Sequence, residues 1–119
     1  MSRLPALTGT AAAVLLGVAC ASAFAQDGAD RQAAGRAVYT KWCTPCHDPG
    51  VTHPGTHALT VNYQGVKSGV LLEWKDLAPD TVKYLVRHGI SVMPQFRKTE
   101  ISDQELDALA QFLSSDTPQ

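Results

Sequence analysis

The 119-residue sequence has little of several features that mark common protein classes. It has only three cysteines and two methionines, and its 10 Lys and Arg nearly balance its 11 Asp and Glu. Without a strong positive field, a nucleic-acid binder is excluded. The sequence also has no internal repeats, no low-complexity segment and no apolar run long enough to span a bilayer comfortably. What remains is a small globular protein with an unusual N-terminus.

The N-terminal segment has the pattern of a secretory signal. Arg3 supplies a positive start, residues 11–19 form an apolar stretch, and residues 23–25, Ala-Phe-Ala, fit the small-x-small rule of signal peptidase. We therefore expect cleavage after Ala25, which makes residues 1–25 a signal peptide. The protein is then expected to be periplasmic.

Two alternatives to cleavage stay open. An uncleaved N-terminus would tether the domain to the membrane, and Cys20 could instead carry a lipid. Gly17 stands where a lipoprotein signal normally has a branched apolar residue, which disfavours lipidation. On the leading interpretation the mature protein, residues 26–119, has no membrane span.

The expected mature chain needs something to hold it together. Removing Arg3 with the signal changes the formal net charge from −1 to −2 and leaves fewer than 100 residues, a size whose core is marginal without help. Only Cys43 and Cys46 remain, and they are too close in sequence to stabilise much as a disulfide. A bound cofactor is therefore the better source of stability.

The pattern along residues 26–119 predicts an all-α domain. Ala29–Lys41 reads as a first helix, and Pro79–His88 reads as another, with Gly89 as its stop. Between them, Asp48–Ala78 is rich in turn residues, and we expect it to be an irregular wrap lying against a large ligand.

The last helix has the clearest signals. Ser102 and Glu105 form a capping box, and Ile101 with Leu106 forms a hydrophobic staple. Its apolar stripe consists of Leu106, Leu109, Phe112 and Leu113. We expect three to four short helices in total.

Cys43-Thr44-Pro45-Cys46-His47 carries the chemistry. Two thiols three residues apart match the two vinyl groups on one edge of a porphyrin, and the following histidine is aimed at the iron. The other ring nitrogen of His47 then needs an acceptor. We therefore predict one haem c, attached through Cys43 and Cys46 and ligated by His47.

Two rival sites fit the cysteines less well. A redox-active dithiol would need a strand before it and a βαβ unit around it, whereas a helix and an irregular segment are predicted here. A zinc site would need more thiols.

The second axial ligand is predicted to be Met93, the only methionine after the initiator. Pro94 confines Met93 to extended backbone, which stiffens the segment that must hold the thioether. His57 and His88 are the rival ligands, while His53 is too close to His47 to reach the opposite side. His88 also suits the C-terminal end of a helix, where its positive charge is favourable.

The chain resembles the small class I cytochromes c of bacteria over nearly its whole mature length. The resemblance rests on residues 43–47, on Val86-Arg87-His88-Gly89 followed by Met93-Pro94-Gln95-Phe96, and on Gly35 and Tyr39 opposite Leu109 and Phe112. It implies the class I cytochrome c fold wrapped around one covalent haem. It also implies that the first and last helices cross at Gly35, where a glycine permits close approach.

The resemblance further implies that a proline carbonyl faces the proximal histidine. Pro54 is the candidate by position, with Pro49 nearby. The segment from Val82 to Phe96 is similar to that of cytochrome subunits of flavin-dependent dehydrogenases of phenols and aromatic alcohols. This similarity implies a flavoprotein dehydrogenase as electron donor and another cytochrome or an oxidase as acceptor.

Three functions follow as hypotheses. The first is a one-electron carrier, not itself an enzyme, in which iron cycles between Fe(III) and Fe(II). The second is a tightly bound subunit of a dehydrogenase complex, favoured if Val51, Val70 or Leu71 is exposed. The third is a haem enzyme or gas sensor in which Met93 is displaced. The sequence leaves three roles undecided. Each of these side chains either packs or faces solvent, or it contacts the haem or a partner: Trp74, Tyr63 and Arg87.

Overall fold

A computed structural model describes the backbone of residues 12–115 and the side chains of residues 26–115. The chain forms two compact units, Met1–Asp30 and Arg31–Gln119. The structure has five helices over the described residues, all-α as expected, with no strand among them beyond an isolated bridge. The helices are α1 (Ala12–Trp42), α2 (Thr44–His47), α3 (Pro54–Tyr63), α4 (Pro79–His88) and α5 (Asp103–Ser114).

The first helix ends one residue from its predicted C-terminus but begins earlier. It was expected over Ala29–Lys41 and is found over Ala12–Trp42. Alanine and leucine dominate the segment before residue 26, and their high helix propensity lets the helix continue upstream. Residues 1–11 lie outside the described part. No observation tests cleavage after Ala25, which stays a prediction. Within residues 12–115, no helix is both long and apolar enough to cross a bilayer.

The prediction of an irregular wrap over Asp48–Ala78 is wrong. Pro54–Tyr63 forms α3, with Pro54 in its first turn and Gln64 ending it in the left-handed region at φ 49°. A 3₁₀ turn follows at Leu71–Glu73. The helix has no clear apolar stripe, and its only buried residue is Thr56, so periodicity gave no signal.

The two helices of the C-terminal half agree with their local signals. α4 spans Pro79–His88 as predicted. At the start of α5, the Glu105 N–H donates to Ser102 Oγ at 3.2 Å, and the Ser102 N–H donates to Glu105 Oε2 at 2.8 Å. Ile101 and all four residues of the predicted stripe are buried in the core.

The predicted crossing of α1 and α5 is present. Gly35 is buried against α5, and a β-carbon there would lie 2.6 Å from Phe112 Cβ and overlap the Ala108 carbonyl. Tyr39 packs on Phe112, with ring centroids 5.8 Å apart. Only glycine at position 35 lets the two helices come this close. The all-helical architecture expected from the sequence is therefore confirmed, and so is the crossing of its first and last helices.

A half-buried apolar set packs against this core. Its members come from the end of α1, from the segment around the 3₁₀ turn and from the connector between α4 and α5. They are Trp42, Cys43, Leu71, Leu72, Leu77, Met93 and Phe96.

Candidate functional site

The residues of the cysteine motif share one helical turn. α1 ends at Trp42, and α2 follows as a single turn, Thr44–His47. The amides of Cys46 and His47 both donate to the Cys43 carbonyl, at 3.0 and 2.8 Å. The turn therefore keeps both sulfurs and the imidazole within one short, rigid element.

The His47 side chain is half-buried, in the single turn of α2. Burial lowers its pKa, which favours the neutral imidazole that a metal requires. Its Nδ1 atom is buried and, among the described residues, has no hydrogen-bond partner. The ring packs on α3, since a β-carbon at Gly55 would lie 2.7 Å from His47 Cε1. A buried polar atom without a partner is costly, so this imidazole fits a site whose other components are supplied on binding.

The expected contact between the Pro54 carbonyl and the His47 ring is not formed here. Pro54 instead begins α3. The family-implied role of Pro54 stays a prediction.

The two thiols are reduced, and they differ from a redox-active pair. Burial, followed by the proximity of Cys46, raises the pKa of Cys43 to about 12. Reactive dithiols depend on a lowered thiol pKa, so this environment does not match them. Nor do three His, Cys, Asp or Glu side chains come together as a metal-binding group anywhere in the described chain.

Two residues hold the backbone around His47, and the sequence pointed to neither of these roles. The Tyr39 hydroxyl donates to the His47 carbonyl at 3.2 Å, and the Thr56 hydroxyl donates to the Asp48 carbonyl at 2.9 Å. Among the side chains of residues 26–115, Thr56 is the one polar residue that is buried. Because its partner lies eight residues away across a turn, no local pattern marks it.

Met93 lies in a tight turn after α4. Ile90 and Met93 bond to each other in both directions, through N–H to carbonyl distances of 3.2 and 2.9 Å. Gly89 allows the turn, because it has φ 69° and a β-carbon there would lie 2.5 Å from the Met93 carbonyl oxygen. Met93 is half-buried and, like Cys43, packs against the core.

The rival histidines are engaged elsewhere or exposed. His57 is exposed on α3, and His88 is exposed at the end of α4, where its Nδ1 donates to the Tyr84 carbonyl at 2.8 Å. The His53 ring donates to the Pro45 carbonyl at 3.2 Å, next to the cysteine motif. Met93, by contrast, packs against the apolar core.

Trp74 and Tyr63 pack together rather than reaching into solvent as separate side chains. Their rings meet edge to face at 5.3 Å, and Trp74 Nε1 donates to the Ser68 carbonyl at 2.7 Å. Lys67 lies 3.7 Å from the Trp74 ring centroid and pairs with Asp76 at 2.5 Å. A packing role accounts for both aromatic residues.

Taken together, the donor set fits a haem c. Two thiols and a half-buried imidazole occupy one turn, and a half-buried thioether occupies another. Cys43 and Met93 both pack against the core, together with other half-buried apolar residues. Cysteine sulfur for attachment and histidine with methionine as axial ligands are the groups that a c-type cytochrome uses.

Comparison with known proteins agrees with this chemistry. The family model described as cytochrome C oxidase, cbb3-type, subunit III matches residues 30–113. The cytochrome c subunit of the hydroxylating 4-cresol dehydrogenase of Pseudomonas putida is 33% identical over 81 residues, 68% of this chain. That match covers 58% of the relative's own length. No solved structure gives a significant match. This chain therefore belongs to the c-type cytochrome family that the cbb3-type subunit III model describes, a family of haem proteins that transfer electrons.

Proposed function

We propose that the protein is a periplasmic one-electron carrier with a single haem c, bonded through Cys43 and Cys46 and ligated by His47 and Met93. The observation that carries this proposal is the turn Cys43–His47, where two thiols accompany a half-buried imidazole whose buried Nδ1 has no partner among the described residues. When bound, haem supplies reversible exchange between Fe(III) and Fe(II).

The residues around the site have separate tasks in this function. Each cysteine S–H would add across one vinyl double bond, so no atom is lost and the porphyrin becomes part of the fold. His47, kept neutral by burial, would ligate through one nitrogen and needs an acceptor for the other. Met93 would be the second protein ligand to the iron, and with both ligands bound no site would be left open for a substrate.

The test is expression of the full chain with haem-maturation machinery. We expect a covalent mass increase of one haem, lost in Cys43→Ser/Cys46→Ser. A ferric absorption band at about 695 nm should report the bond between the methionine sulfur and iron. It should disappear in Met93→Ala but persist in His57→Ala and His88→Ala. A colourless wild-type protein of unaltered mass would refute the proposal.

The same preparation tests the haem-enzyme alternative. If Met93 closes the sixth position, carbon monoxide should bind the reduced wild-type protein slowly and Met93→Ala rapidly. Equally rapid binding to both proteins would favour a haem enzyme or gas sensor over an electron carrier.

A dehydrogenase is the proposed electron donor, either as a transient partner or as a permanent one. The relative from Pseudomonas putida is named as a cytochrome subunit of such an enzyme. Val51 is 83% exposed, and Ile90 and Val92, which flank Met93, are 60% and 80% exposed, whereas Val70 and Leu71 are half-buried. These exposed apolar side chains favour a subunit that stays bound to its flavoprotein.

Co-purification from the native host separates the two arrangements. A permanent subunit should elute with a flavin-containing protein through several columns and at high salt. A freely diffusing carrier should elute alone as a small protein and still accept electrons when the dehydrogenase is added back.

Export is a separate part of the proposal. We expect the mature protein in the periplasmic fraction, with an N-terminus at Gln26. Ala25→Leu should block processing because signal peptidase requires a small residue there. An unprocessed wild-type chain in the membrane fraction would instead indicate an uncleaved anchor.

A further inference from the structure

The geometry points to Arg87 as a positioning residue that holds the Met93 segment in place, so that the thioether stays on the iron. The inference rests on the proposed function, because it takes Met93 as the distal ligand. Sequence alone left Arg87 open between a solvated charge and a contact with the haem or a partner.

Arg87 bonds to two different parts of the chain. Its Nη1 donates to the Phe96 carbonyl at 3.0 Å, and its Nη2 donates to Asp103 Oδ1 at 3.0 Å. Its side chain is only 19% exposed. Lys98 holds the other oxygen of Asp103 at 2.7 Å. One guanidinium thus joins α4, the connector and the first turn of α5.

The bond to Phe96 matters because Phe96 ends the segment that carries Met93. The Phe96 N–H donates to the Val86 carbonyl at 2.8 Å, so both backbone polar groups of Phe96 are tied to α4. The Phe96 ring also meets Trp42 of α1 edge to face, at 5.7 Å.

Met93 is therefore held between two anchored points. On one side is the turn that pairs Ile90 with Met93, and on the other is Phe96, three residues later. Pro94 has no N–H to contribute, so it adds stiffness but no hydrogen bond. Removing the Arg87 bond takes away one of the two backbone hydrogen bonds that hold Phe96. This end of the segment is then less firmly held, and the thioether competes less well with an external ligand.

Lysine cannot replace arginine at this position. The two bonds use different nitrogens of a planar guanidinium, whereas an ammonium is a single point charge on a flexible stem. Arg87→Lys keeps the charge and removes the simultaneous contact.

The chain offers a matched control on the same two helices. Lys83 of α4 pairs with Asp107 of α5 at 2.6 Å and has no bond to the connector. Lys83→Gln therefore removes an ion pair between α4 and α5 while leaving the Met93 segment intact.

The experiment is a titration of the ferric holoprotein with imidazole, which displaces a weakly held methionine. We expect Arg87→Gln to bind imidazole about tenfold more tightly than wild type, the size expected for losing a hydrogen bond to a charged group. The imidazole affinity of Arg87→Lys should lie between those of wild type and Arg87→Gln. The affinity of Lys83→Gln should match wild type.

Amide hydrogen exchange gives a second readout that does not depend on the ligand. The Phe96 amide should exchange faster in Arg87→Gln and Arg87→Lys than in Lys83→Gln. Unchanged imidazole affinity, or equal effects of Arg87→Gln and Lys83→Gln, would overturn the role of Arg87.

Failure of the proposed function looks different. In that case the wild-type ferric protein itself lacks the methionine band at about 695 nm, and Met93→Ala binds imidazole as wild type does. If the band is present and the Arg87 variants bind imidazole as wild type does, Met93 remains the ligand and the positioning role alone is refuted.

Discussion

At the scale of single residues, Gly55 determines how much room the His47 ring has. A β-carbon at this position would lie 2.7 Å from both the Cys46 carbonyl oxygen and His47 Cε1. The backbone oxygen cannot move without distorting α2, so an added β-carbon would displace both this turn and the His47 ring. The sequence shows a glycine here but not its neighbour, because the contact joins α3 to α2.

We predict that Gly55→Ala destabilises the holoprotein by about 1–3 kcal/mol through overpacking and alters the haem spectrum. Denaturant unfolding and the ferric absorption spectrum would measure these two effects. Asn62→Ala is the control, since Asn62 is exposed on the same helix and should change neither. A Gly55→Ala protein with wild-type stability would show that α3 can move away from the His47 ring.

A second residue-scale effect concerns Asp103 and pH. Hydrogen bonds from Lys98 and then Arg87 hold the pKa of its carboxyl below the ordinary 3.8. The unfolded chain therefore binds this proton more readily than the folded one. The resulting stabilisation is present above the unfolded pKa and is lost as pH falls through the folded one.

We predict that Asp103→Asn lowers the free energy of unfolding modestly at neutral pH, because the carboxylate is exposed and its ion pairs are screened. The difference from wild type should shrink as pH falls below 3.8, the ordinary pKa of this carboxyl. Denaturant unfolding of both holoproteins on either side of this pH would measure it. A difference that does not shrink as pH is lowered would contradict the ion-pair explanation.

At the scale of elements, the crossing of α1 and α5 depends on Gly35. We predict that Gly35→Ala costs about 1–3 kcal/mol of unfolding free energy, because a β-carbon there meets Phe112 and the Ala108 carbonyl. Thermal or denaturant unfolding measures this. Gly28→Ala is the control in the same helix, where a β-carbon would meet nothing within 4 Å. Equal behaviour of the two variants would mean that the helices separate at little cost.

Elements with local signals were predicted well, and those without were not. α4 begins at Pro79 and ends before Gly89, and α5 begins at a capping box, so their bounds are encoded in adjacent residues. α3 has no apolar stripe and buries only Thr56. α3 packs against α2, a contact that periodicity along the chain does not report.

At the scale of the whole molecule, the haem is expected to complete the core. The half-buried apolar set around Cys43 and Met93 lies between the packed core and solvent. A porphyrin bonded at α2 would cover apolar surface of this kind.

We predict that Cys43→Ser/Cys46→Ser, which cannot attach haem, loses at least about 3 kcal/mol of stability and unfolds with a broader transition. Circular dichroism during thermal unfolding would measure the loss. The wild-type chain made without haem-maturation machinery should behave like the variant. A variant as stable and as cooperative as the holoprotein would show that the core is complete without the cofactor.

The sequence by itself determined the attachment motif at residues 43–47, Met93 as the candidate ligand, and helices α4 and α5. Each of these depends on neighbours within a few positions, where spacing and capping chemistry are readable. Only the tertiary structure decided that Arg87 ties Phe96 to Asp103, and that Gly55 lies against His47. These contacts join residues of different elements, and their partners are chosen by packing in three dimensions rather than by any pattern along the chain.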